Sequence, residues 1–329
     1  MGEKYLGDGG IQFVRAGMAL AKTRGEPTAA EAALGGRPNA VIRAAVEPGT
    51  VTGNDTWGAP MTGEATMFYD VVRSRSALLQ IEGLRRQLFE ERIVFQDGRV
   101  AVSWVHQLDE IPVGHLHWAP PALMPRLRCA AMVVVSDEWL RFGHRRYEEM
   151  IRNDLADGTA AALDTAFLDP TNAGVPDLKP ASITYGADSR AVTASPDADL
   201  KAMITAFAGD LDRAVFIGSA KALASINSDR LPNVGARGGD IFGVPAMPAR
   251  GNAGTIALID PTQIAFATDG VELANAEHAS ILMSDAPGSD TFNRIGLWQR
   301  NLAAIRVHAY ANWRRINDDA VQVLTGLPV

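Results

Sequence analysis

The chain has 329 residues, 47% hydrophobic and 21% charged, roughly two domains' worth of chain, able to bury a substantial core and too apolar for disorder. A formal charge of −7 argues against a dedicated nucleic-acid binder, and a single cysteine, Cys129, excludes an internal disulfide and a multi-cysteine zinc site. The longest apolar run, Cys129 to Val135, falls far short of the ~18 residues that span a bilayer, and the first residues show no apolar signal segment.

In chain order, residues 1–50 read as an arm. Ile11 to Lys22 has helical apolar spacing, Gly25-Glu26-Pro27 breaks it, and Thr28 to Leu34 is an alanine-rich short helix. Residues 67–135 read as mainly β. Ile93-Val94-Phe95 and Val100-Ala101-Val102 flank Asp97-Gly98, a hairpin signal. The stretch Asp109 to Gly114 is polar and proline-broken, and Pro120, Pro121 and Pro125 follow. Charges and prolines of this kind belong to edges and projections, so residues 98–125 are expected to form a protruding β-loop. Ser136 is a good N-cap, with Asp137 and Glu138 in the first turn. From there Tyr147, Ile151, Leu155, Ala162 and Ala166 fall on one face, with Met150, Leu163 and Phe167 beside it, up to Asp169-Pro170. A helix over 136–168 would be about 50 Å long, the spine of an extended molecule. Residues 175–290 alternate strands and helices as an α/β module. A helix opens at Ser195-Pro196-Asp197 and runs to about Leu211. A strand at Ala214 to Ile217 leads into a helix from Ser219 to Ile226, and Asp229 to Asp240 is a glycine-rich loop. Short strands follow at Ile256 to Ile259 and Gln263 to Ala267. Strand character returns at Leu297 to Trp313 and Ala320 to Leu324. The fold class is α+β.

No stretch carries recognisable chemistry. Gly235-Ala236-Arg237-Gly238-Gly239 lacks the lysine and helix opening of a phosphate loop, and no G-x-S-x-G nucleophile turn exists. Ser219 reads as an ordinary N-cap. His115 and His117 would face one side of a strand, which suits two metal ligands. Further ligands are not well placed, and a solvated loop face is the simpler reading. His106, His144, His278 and His308 are isolated. No catalytic, metal or cofactor residue is assigned. Of 31 basic residues only five are lysine, none between positions 23 and 178. Genome composition accounts for this bias; the functional reading is that arginine's planar fork suits fixed intermolecular ion pairs. Arg73, Arg75, Arg85, Arg86 and Arg92 lack the interleaved aromatics that stack bases. Asp109 and Glu110 point to opposite faces of a strand, which makes them a poor acid/base pair and better contacts for arginines.

The order arm, projecting loop, spine helix, α/β module and β return resembles the tailed-phage major capsid protein family, the Hong Kong 97 fold. Trp104-Val-His-Gln-Leu-Asp-Glu-Ile-Pro112 is similar to the family's descent into its extended loop. Arg126 to Leu140 is similar to the strand that enters the spine helix. Residues Ile151 to Leu168 are similar to that helix's second half. Phe242-Gly-Val-Pro-Ala-Met-Pro248 is similar to a G-x-P-V turn late in the axial domain. The resemblance covers roughly residues 50–329.

It implies an N-terminal arm at 1–50 and the first part of a peripheral domain at 51–174, with an E-loop near 98–125 and the spine helix near 136–168. An α/β axial domain at 175–290 and peripheral return strands at 291–329 complete the chain. It implies no enzyme but a homo-oligomer: pentamers and hexamers of an icosahedral phage head around non-specifically packaged double-stranded DNA, assembled in the host cytoplasm into the virion. Separate scaffolding, portal and decoration proteins are implied partners, and no membrane is. The lysine–glutamate–asparagine weld of some members is not expected, because residues 98–125 hold no lysine and Leu297 to Trp313 holds no glutamate. The start at the arm fits a processed form or separately encoded scaffolding. Asp109, Glu110, Arg73, Arg75, Arg85 and Arg86 are the candidate subunit-interface residues. Two alternatives are an encapsulin-like nanocompartment shell and a soluble enzyme using His115 and His117.

Overall fold

The computed structural model describes residues 11–23, 27–35, 63–93, 104, 122–142, 145–193, 195–250, 254–276, 280–283 and 294–328. The expected E-loop therefore lies almost wholly outside the described residues. Helices α1 (Ile11–Lys22) and α2 (Pro27–Ala33) occupy the arm where apolar spacing placed them. The stretch expected to be β from residue 67 is helical at first, as α3 (Gly63–Arg73) and α4 (Ala77–Gln80). Phe68 and Val72 are both fully buried, one helical turn apart. That spacing outweighs the strand preference of Val71-Val72. Short strands β1 (Arg85–Arg86), β2 (Arg92–Ile93) and β3 (Ala122–Leu123) follow, then β4 (Arg128–Ser136).

The residues expected to form one spine helix hold α5 (Asp137–Phe142) and α6 (Arg145–Leu168), with Gly143 and His144 between them outside the described residues. Ser136 caps α5 by accepting the Trp139 N–H at 3.3 Å. The buried face of α6 is Ile151, Leu155, Ala156, Thr159, Ala160, Leu163, Asp164, Phe167 and Leu168. Met150 and Ala162, which the apolar pattern placed on or beside the face, are exposed instead. The shift has a cause. Thr159 and Asp164 are polar yet buried, because Thr159 Oγ1 donates to the Leu155 carbonyl at 2.8 Å and Asp164 accepts two backbone N–H groups. The helix ends against residues 182–184, at the entry to a turn. Ser182 Oγ and the Ile183 N–H donate to the Phe167 carbonyl, and Thr184 Oγ1 to that of Leu168, satisfying carbonyls that a helix end leaves open.

The second half holds β5 (Asp188–Ala191), α7 (Pro196–Ala206), β6 (Val215–Ser219), α8 (Ala220–Ser225), β7 (Val234–Gly235), β8 (Gly238–Ile241), β9 (Val244–Ala249) and β10 (Thr255–Ile259). After these come β11 (Ile264–Ala276), β12 (Ser280–Leu282), β13 (Arg294–Gly296), β14 (Leu302–Arg315) and β15 (Val321–Thr325). Helix α7 opens at Pro196 as expected, but Ser195 makes no side-chain cap. Asp199 braces the entry instead, accepting from Thr193 N–H at 2.6 Å and Thr193 Oγ1 at 2.8 Å. The helix stops before Leu211 because Phe207 turns to extended backbone and buries its ring, 8% exposed. Ser219 is the N-cap of α8, accepting the Ala222 N–H at 3.1 Å. The glycine-rich stretch 229–240 is not all loop, since β7 and β8 pair within it. A Cβ on Gly239 would fall onto the Asn233 carbonyl oxygen, so only glycine lets these strands approach.

Packing divides the chain into two compact units. The first comprises residues 1–76, 128–162 and 269–310. In it α1 packs on α2, α3 and α5, and β4 pairs antiparallel with Leu302 to Tyr310 of β14. Cys129, Ala131, Val133 and Val135 lie opposite Ala309, Val307, Ile305 and Ala303, an apolar face buried along β14. The second unit comprises residues 77–127, 163–268 and 311–329. It holds a seven-stranded sheet of order β5-β15-β10-β6-β9-β8-β7. Strand β15, from the stretch read as peripheral return strands, pairs with β10 and β5 in that sheet. The core on this sheet includes Leu200, Phe216, Leu223, Ile241, Ile256, Leu258 and Leu324. Elsewhere in the unit Phe167 meets Trp313 edge to face, centroids 5.3 Å apart, and Trp313 Nε1 donates to the Ala181 carbonyl at 2.8 Å.

Candidate subunit-interface residues

The six residues singled out for subunit contact fall in different settings. Arg73 is exposed at the end of α3, where a cation complements the helix dipole. Arg75, two residues on, is engaged inside the subunit. Its Nη1 donates to the Asn153 carbonyl and to Asp157 Oδ2, both at 2.9 Å, and its Nη2 to Asn153 Oδ1 at 2.7 Å. The fork thus ties the turn after α3 to α6, one unit's own tie. Arg85 and Arg86 are both exposed on β1, which pairs parallel with Ala265 and Phe266 of β11. Adjacent strand residues point to opposite faces, so the two arginines cannot serve one contact together. Asp109 and Glu110 lie outside the described residues, as do His115 and His117.

Arg85 also lines an open cleft of about 770 Å³ with Asp210, Asp212, Arg213, Asp260 and Asp319. Its carboxylates are mostly turn-formers. Buried Asp260 accepts from the N–H of Thr262, the hydroxyl of Thr262 and the N–H of Asp210, while Asp210 accepts the Asp212 N–H. These bonds fix the loop at 208–213 against the 260–263 turn rather than converging on a reacting atom. Among the described residues no group of three or more His, Cys, Asp or Glu side chains could hold a metal ion. Among them, too, no helix is long and apolar enough to cross a membrane.

One surface escaped the sequence reading. On the face of β4 and β14 opposite the buried one, Arg128, Ala130 and Met132 are exposed and stand opposite Tyr310, His308 and Arg306. No sequence signal marked it: Cys129 to Val135 is an uninterrupted apolar run, and the alternation appears only in the burial of β4. His308 is only 5% exposed, and its Nδ1 has no hydrogen-bond partner among the described residues. Burial first, then the Arg306 and Arg128 charges, push its pKa below the usual imidazole value, with Glu272 pulling weakly the other way. Tyr310 stacks on it, centroids 6.4 Å apart, and donates its hydroxyl to Glu272 Oε2 at 2.7 Å. Burial likewise raises the Cys129 thiol, which keeps it protonated and unreactive.

No protein-family model matches the chain. In sequence it is 28% identical over 319 residues, 87% of its length, to the capsid polyprotein of Pseudomonas phage PAJU2, and it spans 48% of that relative's length. In structure it is similar to a chain from Mycobacterium phage Adephagia, with a TM-score of 0.54, 14% identity, and 77% of this chain and 91% of that one covered. It is also similar to a chain from Gordonia phage Cozz, with a TM-score of 0.52, 14% identity, and 78% and 85% covered. A third likeness is to the capsid of a native GTA particle, with a TM-score of 0.50, 15% identity, and 86% and 96% covered. The architecture is the Hong Kong 97 fold of phage capsid proteins. The resemblance to phage capsid proteins read from the sequence agrees with this fold and with the likeness to a phage capsid polyprotein.

Proposed function

We propose that the chain is a structural major capsid protein that tiles with copies of itself into the pentamers and hexamers of an icosahedral phage head around double-stranded DNA. The observation that carries this is the alignment with a phage capsid polyprotein along 87% of the chain, joined to a fold that phage capsids share. In this reading the function is geometric. Unlike faces of neighbouring copies meet head to tail, and such contacts close into rings when the rotation allows. Each contact can be weak because a ring multiplies it. The arm at 1–50 and the E-loop near 98–125 overlap neighbours. The seven-stranded sheet, with β15 joined to the strands of 175–290, is the axial domain, and the spine helix belongs to the peripheral domain. The net charge of −7 limits adhesion of packaged DNA to the wall. Scaffolding, portal and decoration proteins complete the head, which assembles in the host cytoplasm and ends in the virion.

Purified chain is expected to form closed particles visible by negative-stain electron microscopy. A uniform small species at every concentration and salt condition would overturn the proposal. Denaturing electrophoresis of particles should show monomers only, since the lysine weld is absent from the sequence; a ladder of cross-linked rings would contradict that part. We propose further that Asp109 and Glu110 of one copy meet arginines of the next. Of the four arginines named, Arg73, Arg85 and Arg86 are exposed and Arg75 already serves its own subunit. Reversing both acidic charges is expected to impair assembly and leave the subunit folded. Normal assembly of that variant removes the pair.

A further inference from the structure

The hairpin joining β8 to β9 carries a residue that its own subunit does not favour. Ile241 pairs with Val244, so the turn consists of Phe242 and Gly243 alone. Both have positive φ, +53° and +88°. A two-residue turn of this kind calls for Asn-Gly or Asp-Gly. Gly243 obeys the rule; Phe242 is a bulky side chain in the left-handed region, a true outlier. The turn is firmly held. Asp240 Oδ1 accepts the Gly243 N–H at 2.8 Å, and flanking Ile241 and Val244 are buried in the core with Leu231 and Ile256. Yet the Phe242 ring is not part of that core, being 44% exposed. Backbone strain and apolar exposure both count against it in an isolated subunit, so its gain must lie outside the subunit.

We infer that Phe242 is an anchor that seats against an apolar surface of a second copy of the chain. Each copy carries both halves of such a contact. The projecting aromatic sits on a rigid stem, and the same unit exposes Val175, Leu178 and Tyr185 in turns of its own. A knob on one patch meeting a receptor on another is a heterologous contact, the kind that builds rings. Rigid aromatics held on a preformed turn are favoured anchors because little side-chain freedom is lost on docking. The inference rests on the proposed self-assembly and names one of its contacts.

The test uses the full chain with Phe242→Asn and Phe242→Gly, two residues that accept positive φ. The thermal midpoint of the unassembled subunit is read beside the concentration at which particles form. Both variants should keep the wild-type midpoint or exceed it by a few degrees, while the concentration needed for assembly rises roughly tenfold or more. Assembly at wild-type concentration overturns the inference. A lowered midpoint in both variants overturns it too, since the ring would then belong to the subunit's own fold. If the wild-type chain forms no particles, the capsid proposal itself falls and takes this contact with it.

Discussion

Two pairs of strands in this molecule use similar residues to opposite ends. In the seven-stranded sheet, β6 and β10 are buried at nearly every position: Val215, Phe216 and Ile217 in one, Ile256 to Ile259 in the other. That is the pattern of strands covered on both faces. In the other unit β4 alternates, with Arg128, Ala130 and Met132 exposed and Cys129, Ala131, Val133 and Val135 turned to the covered face. The first sheet closes its core with its own chain. The second leaves the β4 side of one face uncovered among the described residues. In the proposed shell both arrangements have a use: a closed core in one unit, and a face held back from the core in the other.

Changes on the two sides should therefore differ sharply. Phe216→Ala, at a site with no exposure, should destabilise the subunit by about 3–5 kcal/mol in chemical denaturation; a cost under ~1 kcal/mol would break the claim of a closed core. Asp164→Ala should cost about 2–3 kcal/mol, because two buried N–H groups at the start of α4 lose their acceptor. Buried His308 on β14 predicts acid sensitivity. Its native pKa is depressed, so below the unfolded value near 6.5 the unfolded chain binds the proton first and stability falls with pH. His308→Gln should flatten that fall between pH 7.5 and 5.5, read as thermal midpoints. Gly158→Ala should stabilise by about 0.5–1 kcal/mol, since Gly158 lies within α6 and a Cβ there meets open space. Met132→Ser, on the uncovered face, should move subunit stability by no more than ~0.5 kcal/mol.

Much of this architecture was legible in the residues, and the misreadings share a cause. Periodicity located α1, β6, α8, β10 and β15 within a residue or two, because each is bounded by a clear breaker or cap. It failed where polar residues are buried or apolar ones exposed. Thr159 and Asp164 sit inside the α6 face, and only their hydrogen-bond partners, distant in sequence for Asp164, make that tolerable. Residues 67–80 are helical although Val71-Val72 resembles a strand, because the Phe68–Val72 spacing buries one helical face. The strands at 234–241 were hidden by glycines whose purpose is close backbone approach. Of the candidate contacts, the arginines could be picked from composition, but not that Arg75 is occupied by Asn153 and Asp157. The Phe242 turn was visible as a motif; its positive φ was not.

The central claim is that this 35.1 kDa chain acts by joining copies of itself. Sedimentation velocity of the purified full chain over a range of concentration and salt tests it most directly. Megadalton particles in equilibrium with small rings or subunits are the predicted result. A single species near the monomer mass under all conditions would contradict it.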